Sequence, residues 1–198
     1  MNSSKRWTTR EMVFLATIGV IFAVLYLAWV QLWLVVQAAT GPLAMDVLFG
    51  FWFSGSIFAA YVLRKPFASL LAAILASFIQ ILLGNPSGAV LLLTGLVQGV
   101  GSEVPLAMFR WRRYQLPVLI ASGASASVFS FIYNWFRFGY WELATGLVIT
   151  MFVVRLLSGI VLGGILGKVL ADAVARTGVT GGLAIDAARR QSAGGRGA

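Results

Sequence analysis

Long apolar stretches alternate along the chain with short polar or glycine-rich ones. Six apolar stretches can be delimited, at residues 12–37, 47–63, 67–83, 89–109, 117–136 and 143–170. Each reaches the roughly 17 residues that an α-helix needs to cross about 30 Å of hydrocarbon. The first is too long for the apolar part of a signal peptide, which spans about 7–15 residues. The pattern therefore predicts an all-α membrane protein with six transmembrane helices.

Positive charges fall in alternate connections between these stretches. They lie before the first stretch and after the second, fourth and sixth: Lys5, Arg6, Arg10; Arg64, Lys65; Arg110, Arg112, Arg113; Lys168, Arg176, Arg189, Arg190, Arg196. The other connections, near residues 40–42, 84–88 and 139–142, contain no Lys or Arg, and the only positive residue that borders them is Arg137. The positive-inside rule then predicts that both termini are cytoplasmic and that the second group of connections faces outwards.

The same pattern predicts the domain organisation. Residues 1–11 form a cytoplasmic N-terminus, residues 12–172 a six-helix transmembrane domain, and residues 173–198 a tail rich in Gly, Ala and Arg. Such a composition favours a disordered cytoplasmic segment. The sequence has no internal repeat of 20–50 residues and no nucleotide-binding loop, so any ATP hydrolysis must come from another protein.

Composition supports a membrane protein and excludes several chemistries. The 198 residues are 60% hydrophobic and 11% charged, too few polar residues to cover a soluble core. The net charge of +9 raises the possibility of nucleic-acid binding. No predicted helix combines a basic face with stacking aromatics, so membrane topology explains the charges better. The absence of Cys and His excludes thiolate chemistry, Ser-His-Asp catalysis and the usual zinc sites, and we predict no metal or cofactor.

Polar residues inside the apolar stretches concentrate in the predicted outer third of the membrane. These are Asp46, Gln80, Asn85, Gln98, Tyr133 and Asn134. Aromatic residues lie near the same half: Trp29, Trp33, Trp52, Trp135, Tyr140 and Trp141. Any one polar group could bond a neighbouring helix, and any one aromatic could belong to an interfacial belt. Their one-sided distribution favours a pocket that opens to the outside.

Two further charges lie near the predicted mid-membrane, Glu103 on the fourth helix and Arg155 on the sixth. Their similar depth indicates a structural ion pair, since an unpaired charge there would be costly. The alternative is a direct ligand role for Glu103. Small residues four apart favour close helix packing. Several helices carry such pairs of small residues. We interpret the pair on the first helix, Gly19 and Ala23, as the best candidate for contact with a partner protein.

Several segments together resemble a known family. They are residues 41–46 (GPLAMD), 50–53 (GFWF), 59–61 (AAY) with 64–66 (RKP), 84–88 (GNPSG), 97–103 (VQGVGSE) and 131–134 (FIYN). In combination they are similar to the YkoE-type substrate-capture (S) components of energy-coupling-factor (ECF) transporters for thiamine or its hydroxymethylpyrimidine precursor. The family pattern has acids where this chain has Gln80 and Asn134, which leaves Asp46 as the main outward acid.

The resemblance implies a six-helix S component in the bacterial plasma membrane. It implies that vitamin binds at the extracellular side, and that a transmembrane coupling (T) subunit and two ATP-binding subunits are partners. The resemblance also implies that the protein is not an enzyme. Gln98, Asn134 and Tyr133 are expected at the aminopyrimidine, with Asp46 and Trp52 nearer the cationic thiazolium, and with Gln80, Asn85 and Tyr140 in the same pocket. An S component for another vitamin or nucleobase-like compound, and a small membrane enzyme acting on lipid, remain as alternatives.

Overall fold

The computed structural model describes residues 6–41 and 43–194, which contain helices and no strand. The helices are α1 (Thr9–Thr40), α2 (Leu43–Leu48), α3 (Phe51–Leu63), α4 (Ala68–Leu82), α5 (Val90–Met108), α6 (Leu116–Phe138), α7 (Thr145–Ser158), α8 (Leu166–Arg176) and α9 (Ala184–Gly194). A 3-10 turn, Tyr140–Glu142, precedes α7, and a π-helical segment, Gly159–Ile165, joins α7 to α8.

The predicted all-α membrane fold is confirmed. Five helical spans are long and apolar enough to cross a membrane: Thr9–Ala38, Leu43–Leu63, Val90–Met108, Leu116–Phe138 and Thr145–Arg176. The remaining predicted stretch, the third (67–83), corresponds to α4, which has 15 residues. At 1.5 Å per residue it is about 22 Å long, shorter than the hydrocarbon layer. Among the six predicted spans, as far as the structure describes them, α4 is therefore the one that falls short of the hydrocarbon thickness.

Helix α3 occupies the centre of the bundle. Its sequence, FWFSGSIFAAYVL, is apolar on all sides, and every residue from Phe53 to Leu63 is buried. A helix without a polar face must be surrounded by other helices or by lipid. Around it lie α1, α4, α8 and the π-helical segment, while α5 packs between α4 and α6.

The second predicted helix is in fact two helices, α2 and α3, that meet at Phe49 and Gly50. The backbone N–H of Gly50 donates to Ser158 Oγ at 2.9 Å, and that hydroxyl donates to the carbonyl of Val47 at 2.6 Å. A Cβ on Gly50 would lie 2.0 Å from the carbonyl oxygen of Ser158. Close contact with the last membrane span therefore breaks the helix, and apolar length alone did not reveal this.

The prediction of a disordered tail from residue 173 is wrong for the part that the structure describes. Helix α8 continues to Arg176 and α9 follows. Ile185 is fully buried and Leu183 is buried in the main core, while Thr180 Oγ1 donates to Asp186 Oδ1 at 2.8 Å. A few apolar residues thus anchor a segment of polar composition. Residues 195–198, the end of the predicted tail, and residues 1–5 of the predicted N-terminus lie outside the described residues.

Gly19 and Ala23 face the inside of the bundle. Ala23 is fully buried, and a Cβ on Gly19 would lie 2.7 Å from Leu75 Cδ2 on α4. The pair therefore lets α1 approach α4 closely, as small residues do in membrane helix packing. The prediction that these two residues contact a partner protein is wrong, because neither is accessible to one.

Candidate functional site

A cavity of about 110 Å³ lies where α1, α4, α5 and α6 meet the α2–α3 junction. Its lining comprises Tyr26, Val30, Trp33, Met45, Phe49, Trp52, Ala73, Ser77, Gln80, Asn85, Pro86, Ser87, Leu91, Thr94, Gln98, Asn134, Arg137 and Phe138. Of the residues expected in a pocket, the structure brings together Trp52, Gln80, Asn85, Gln98 and Asn134. The lining contains the 85–87 loop, so the cavity lies at the end of the bundle that the loop charges predict to be outside.

Part of the amide lining is already hydrogen-bonded. Asn85 Nδ2 donates to Gln80 Oε1 at 3.0 Å, and Asn85 Oδ1 accepts from the backbone N–H of Ser87 at 2.9 Å. The second bond is the side-chain-to-backbone contact that makes Asn a turn residue, and it shapes the GNPSG loop. Gln80 Nε2 donates to the carbonyl of Ala76 at 3.3 Å. These two amides therefore mainly build the rim of the cavity.

Gln98 differs from those two amides. It is buried on α5 and lines the cavity, yet among the described residues its side chain has no hydrogen bond in the structure. A buried amide carries two donors and an acceptor that are costly to leave unpaired. Gln98 is therefore the lining amide best placed to hydrogen-bond a ligand.

Aromatic rings form the opposite wall. Trp33 and Trp52 meet edge to face with ring centroids 6.5 Å apart, and Phe49 and Trp52 do so at 5.5 Å. The indole Nε1 of Trp33 is buried and has no hydrogen-bond partner in the described part of the chain. From sequence Trp33 was only one of several aromatics near the outer half. Nothing in the sequence marks it as an unpaired donor.

A buried ion pair lies behind the cavity wall. Arg155 Nε donates to Asp46 Oδ1 at 2.6 Å, and both side chains are fully buried. The guanidinium also stacks over Phe49, with its carbon 4.0 Å from the ring centroid. With its amide oxygen towards Arg155, Asn134 accepts from Nη1 at 2.9 Å and from Nη2 at 3.3 Å. Among these four residues only Asn134 and Phe49 reach the cavity.

The structure contradicts the predicted pairing of Arg155 with Glu103. Arg155 binds Asp46, and Glu103 instead accepts from the backbone N–H groups at the start of α4, those of Phe67 at 2.8 Å, Ser69 at 3.1 Å and Leu70 at 3.2 Å. Trp111 Nε1 donates to the same carboxylate at 2.5 Å. Depth along a helix does not give the direction in which a side chain points. Glu103 is an N-terminal cap for α4 and does not line the cavity, so a deep ligand role for it is not supported.

Three other expected pocket residues do not line the cavity: Asp46, Tyr133 and Tyr140. Tyr133 lies under the Arg137 guanidinium, whose carbon is 5.9 Å from the ring centroid. The Tyr140 hydroxyl accepts from Arg155 Nη2 at 3.3 Å. Burial raises the pKa of Tyr140, partly offset by the charge of Arg155, so the phenol is neutral at physiological pH. Asp46 and Tyr140 therefore affect the cavity indirectly: both contact Arg155, and Tyr140 also stacks on the lining residue Phe138.

A larger cavity of about 450 Å³ lies elsewhere, between α1 and α8. Its lining is apolar apart from Arg10 and Thr17, and it includes none of the expected binding residues. A specific small-molecule site needs a few convergent polar groups as well as apolar walls. The smaller cavity meets this condition and the larger one does not. We therefore assign the candidate binding site to the smaller cavity.

Comparisons with known proteins identify relatives over nearly the whole chain. Residues 10–129 match the family described as ABC-type cobalt transport system, permease component. The chain is 42% identical over 181 residues to the putative HMP/thiamine permease protein YkoE of Bacillus subtilis (strain 168), covering 91% of each protein. It also matches a solved structure described as an S-component of ECF transporter, with a TM-score of 0.91 and 39% identity over 98% of this chain and 99% of that chain. The chain therefore belongs to the YkoE family of ECF-transporter S components, which are multi-pass membrane proteins.

Proposed function

We propose that this S component captures thiamine or its hydroxymethylpyrimidine precursor in the cavity of about 110 Å³, from the extracellular side. The observation that carries the proposal is the combination of unpaired polar groups and aromatic walls in one cavity. Within the described part of the chain the side chain of Gln98, a lining residue, forms no hydrogen bond, and the buried indole N–H of Trp33 has no partner. The name of the Bacillus subtilis relative supports the same ligand class.

The chemistry of an aminopyrimidine suits this lining. The ring presents nitrogen acceptors beside an amino donor, and an amide such as Gln98 or Asn134 offers the complementary donor and acceptor. Flat aromatic walls, Trp52 and Phe49, suit the faces of a ring. The volume of about 110 Å³ is of the same order as that of a cavity of about 150 Å³ that holds benzene, which points to a ligand part of about one ring in size.

In whole thiamine the cationic thiazolium ring would extend from this cavity towards its mouth. The sequence suggested Asp46 as its carboxylate partner, but Asp46 is fully buried, is paired with Arg155 and does not line the cavity. The faces of Trp33 and Trp52 are then the groups that would contact the cation, by cation–π attraction. Tyr133, which is also outside the lining, has no role in this proposal.

As an S component the chain would act with a T subunit and two ATP-binding subunits. Its sequence contains no nucleotide-binding loop, which supports an energy source in other subunits. The proposed role is binding and delivery of the ligand, without a reaction of its own. We further propose that residues 6–11 and the segment from residue 173 lie in the cytoplasm, which the positive charges of these segments and of the loops on the same side support.

The first experiment is to purify the full chain without added vitamin and to identify any bound compound by mass spectrometry. Thiamine or hydroxymethylpyrimidine should be recovered. Both compounds are then titrated against the ligand-free protein, its Gln98→Ala variant and a matched control, Gln31→Ala, whose side chain is exposed on α1. Gln98→Ala should weaken binding about 10-fold or more, and Gln31→Ala should not. Recovery of a lipid product, or of an unrelated vitamin, would overturn the proposal.

A further inference from the structure

Asn134 lies between the cavity and a buried cation. It is 1% exposed and lines the cavity, and its Oδ1 accepts from Nη1 and Nη2 of Arg155 at 2.9 and 3.3 Å. A guanidinium has only donors, so it can face only the oxygen end of an amide. The opposite end of the Asn134 amide, Nδ2, carries two donors. The cation behind the wall therefore decides which end of the amide is left for the cavity.

Arg155 itself is fixed in place by its surroundings. Asp46 binds its Nε at 2.6 Å, the hydroxyl of Tyr140 lies 3.3 Å from Nη2, and Phe49 lies under the guanidinium at 4.0 Å. These contacts come from α2, the 3-10 turn and the α2–α3 junction, so the guanidinium is held from several directions. A planar group held in this way imposes a single orientation on a neighbouring amide.

We propose that Arg155 is a positioning residue, which turns Asn134 so that its Nδ2 donates into the cavity and selects ligands with a hydrogen-bond acceptor at that point. In the proposed ligand this acceptor is a ring nitrogen of the pyrimidine. The inference rests on the proposed function of the cavity. It assigns to Arg155 and Asp46, neither of which lines the cavity, a role in specificity that they exercise through Asn134.

The test compares three probes: hydroxymethylpyrimidine and two pyridine analogues, each with one ring nitrogen replaced by carbon. Dissociation constants are measured by calorimetry on the purified full chain. For the wild-type protein, one of the two analogues should bind about 10–100-fold more weakly than the pyrimidine, because it leaves Nδ2 of Asn134 unpaired. The other analogue keeps the nitrogen that accepts from Nδ2, so it measures any loss of affinity that does not depend on this donor.

Two variants separate positioning from general damage. Asn134→Asp keeps an oxygen towards Arg155 but places a second oxygen, an acceptor, towards the cavity, so the preference for that ring nitrogen should disappear. The double variant Arg155→Met with Asp46→Leu replaces the ion pair by apolar side chains, an exchange that buried pairs often tolerate. It frees the Asn134 amide to turn, and the preference should shrink to within about threefold. A purely structural role for Arg155 would leave this ratio unchanged.

The outcomes distinguish this inference from the proposed function. Equal affinity of the wild-type protein for all three probes would overturn the inference and leave the proposed function standing. The inference also fails if Asn134→Asp or the double variant keeps the wild-type ratio. If the wild-type protein binds none of the three probes, the proposed function fails, and the assignment of the donor fails with it.

Discussion

Arg155 and Asp46 form a fully buried ion pair, in which Nε of the arginine lies 2.6 Å from Oδ1 of the aspartate. The pair connects the last membrane span with the short helix that precedes α3. The second carboxylate oxygen, Oδ2, has no hydrogen-bond partner within the described residues. The pair is therefore only partly compensated by hydrogen bonds, and its stability depends on both members being present.

The first prediction concerns this pair. Arg155→Met alone leaves a buried carboxylate without its cation, and it should lower the free energy of unfolding by about 3–5 kcal/mol. Asp46→Leu alone should have a similar effect, because it leaves the guanidinium unpaired. The double variant should be clearly more stable than either single variant. Thermal unfolding of the purified proteins in detergent measures the difference, and a double variant no more stable than the single ones would refute the pairing.

The sequence revealed the membrane spans well because the bilayer imposes a direct length requirement on apolar stretches. All six stretches correspond to helices, with ends displaced by a few residues. The break at Gly50 was missed, because it arises from contact with Ser158, more than a hundred positions further along the chain. The order of the tail was missed for a related reason, since Ile185 is buried in a core cluster formed with residues distant in sequence.

Five of the eight expected binding residues line the cavity. Polar side chains are costly inside a membrane, so their concentration in the outer third of the bundle was a useful indication of a pocket. The partners of the charged residues could not be predicted in the same way. Depth along a helix placed Glu103 beside Arg155, but the rotation of each helix and the position of the start of α4 decide which groups meet. The sequence also could not show that the indole N–H of Trp33 has no hydrogen-bond partner among the described residues, because this depends on the lack of an acceptor on the neighbouring helices.

The second prediction concerns Trp33. Trp33 lines the cavity, and its replacement by Phe keeps an aromatic wall there but removes the buried indole donor. Ligand affinity should fall about 5–15-fold, the loss expected for one hydrogen bond. The ligand-free variant should be at least as stable as the wild-type protein, since an unpaired donor has been removed. Calorimetric titration measures the affinity, with Trp141→Phe as the matched control, because Trp141 is 58% exposed and does not line the cavity. An unchanged dissociation constant for Trp33→Phe would show that its N–H does not contact the ligand.

The third prediction concerns Glu103. Its carboxylate accepts from three backbone N–H groups at the start of α4 and from Trp111 Nε1. Glu103→Gln turns one oxygen into a donor that faces other donors, so the free energy of unfolding should fall by about 2–3 kcal/mol. The dissociation constant of the ligand should not change, because Glu103 does not line the cavity.

The control for this variant is Glu142→Gln, a change of the same type at an exposed position on the outer 3-10 turn. It should alter stability by less than about 0.5 kcal/mol. Both variants are compared by thermal unfolding and by ligand titration. If Glu103→Gln weakened ligand binding while leaving the melting temperature unchanged, Glu103 would be a ligand residue after all, and its role as a helix cap would be wrong.

The last prediction concerns the contact between α6 and the π-helical segment. A Cβ added to Gly123 would lie 2.1 Å from the carbonyl oxygen of Gly159 and 2.9 Å from the amide nitrogen of Gly164, and neither backbone atom can move away alone. Gly123→Ala should therefore separate α6 from the segment and lower the free energy of unfolding by about 1–3 kcal/mol or more. Gly146→Ala on α7 is the matched control, because no heavy atom lies within 4 Å of its Cβ position. Alanine is a better helix former than glycine, so the control should be as stable as the wild-type protein or slightly more stable. Thermal unfolding of the two variants side by side decides the matter, and equal melting temperatures would mean that the glycine contact does not hold α6 against the last span.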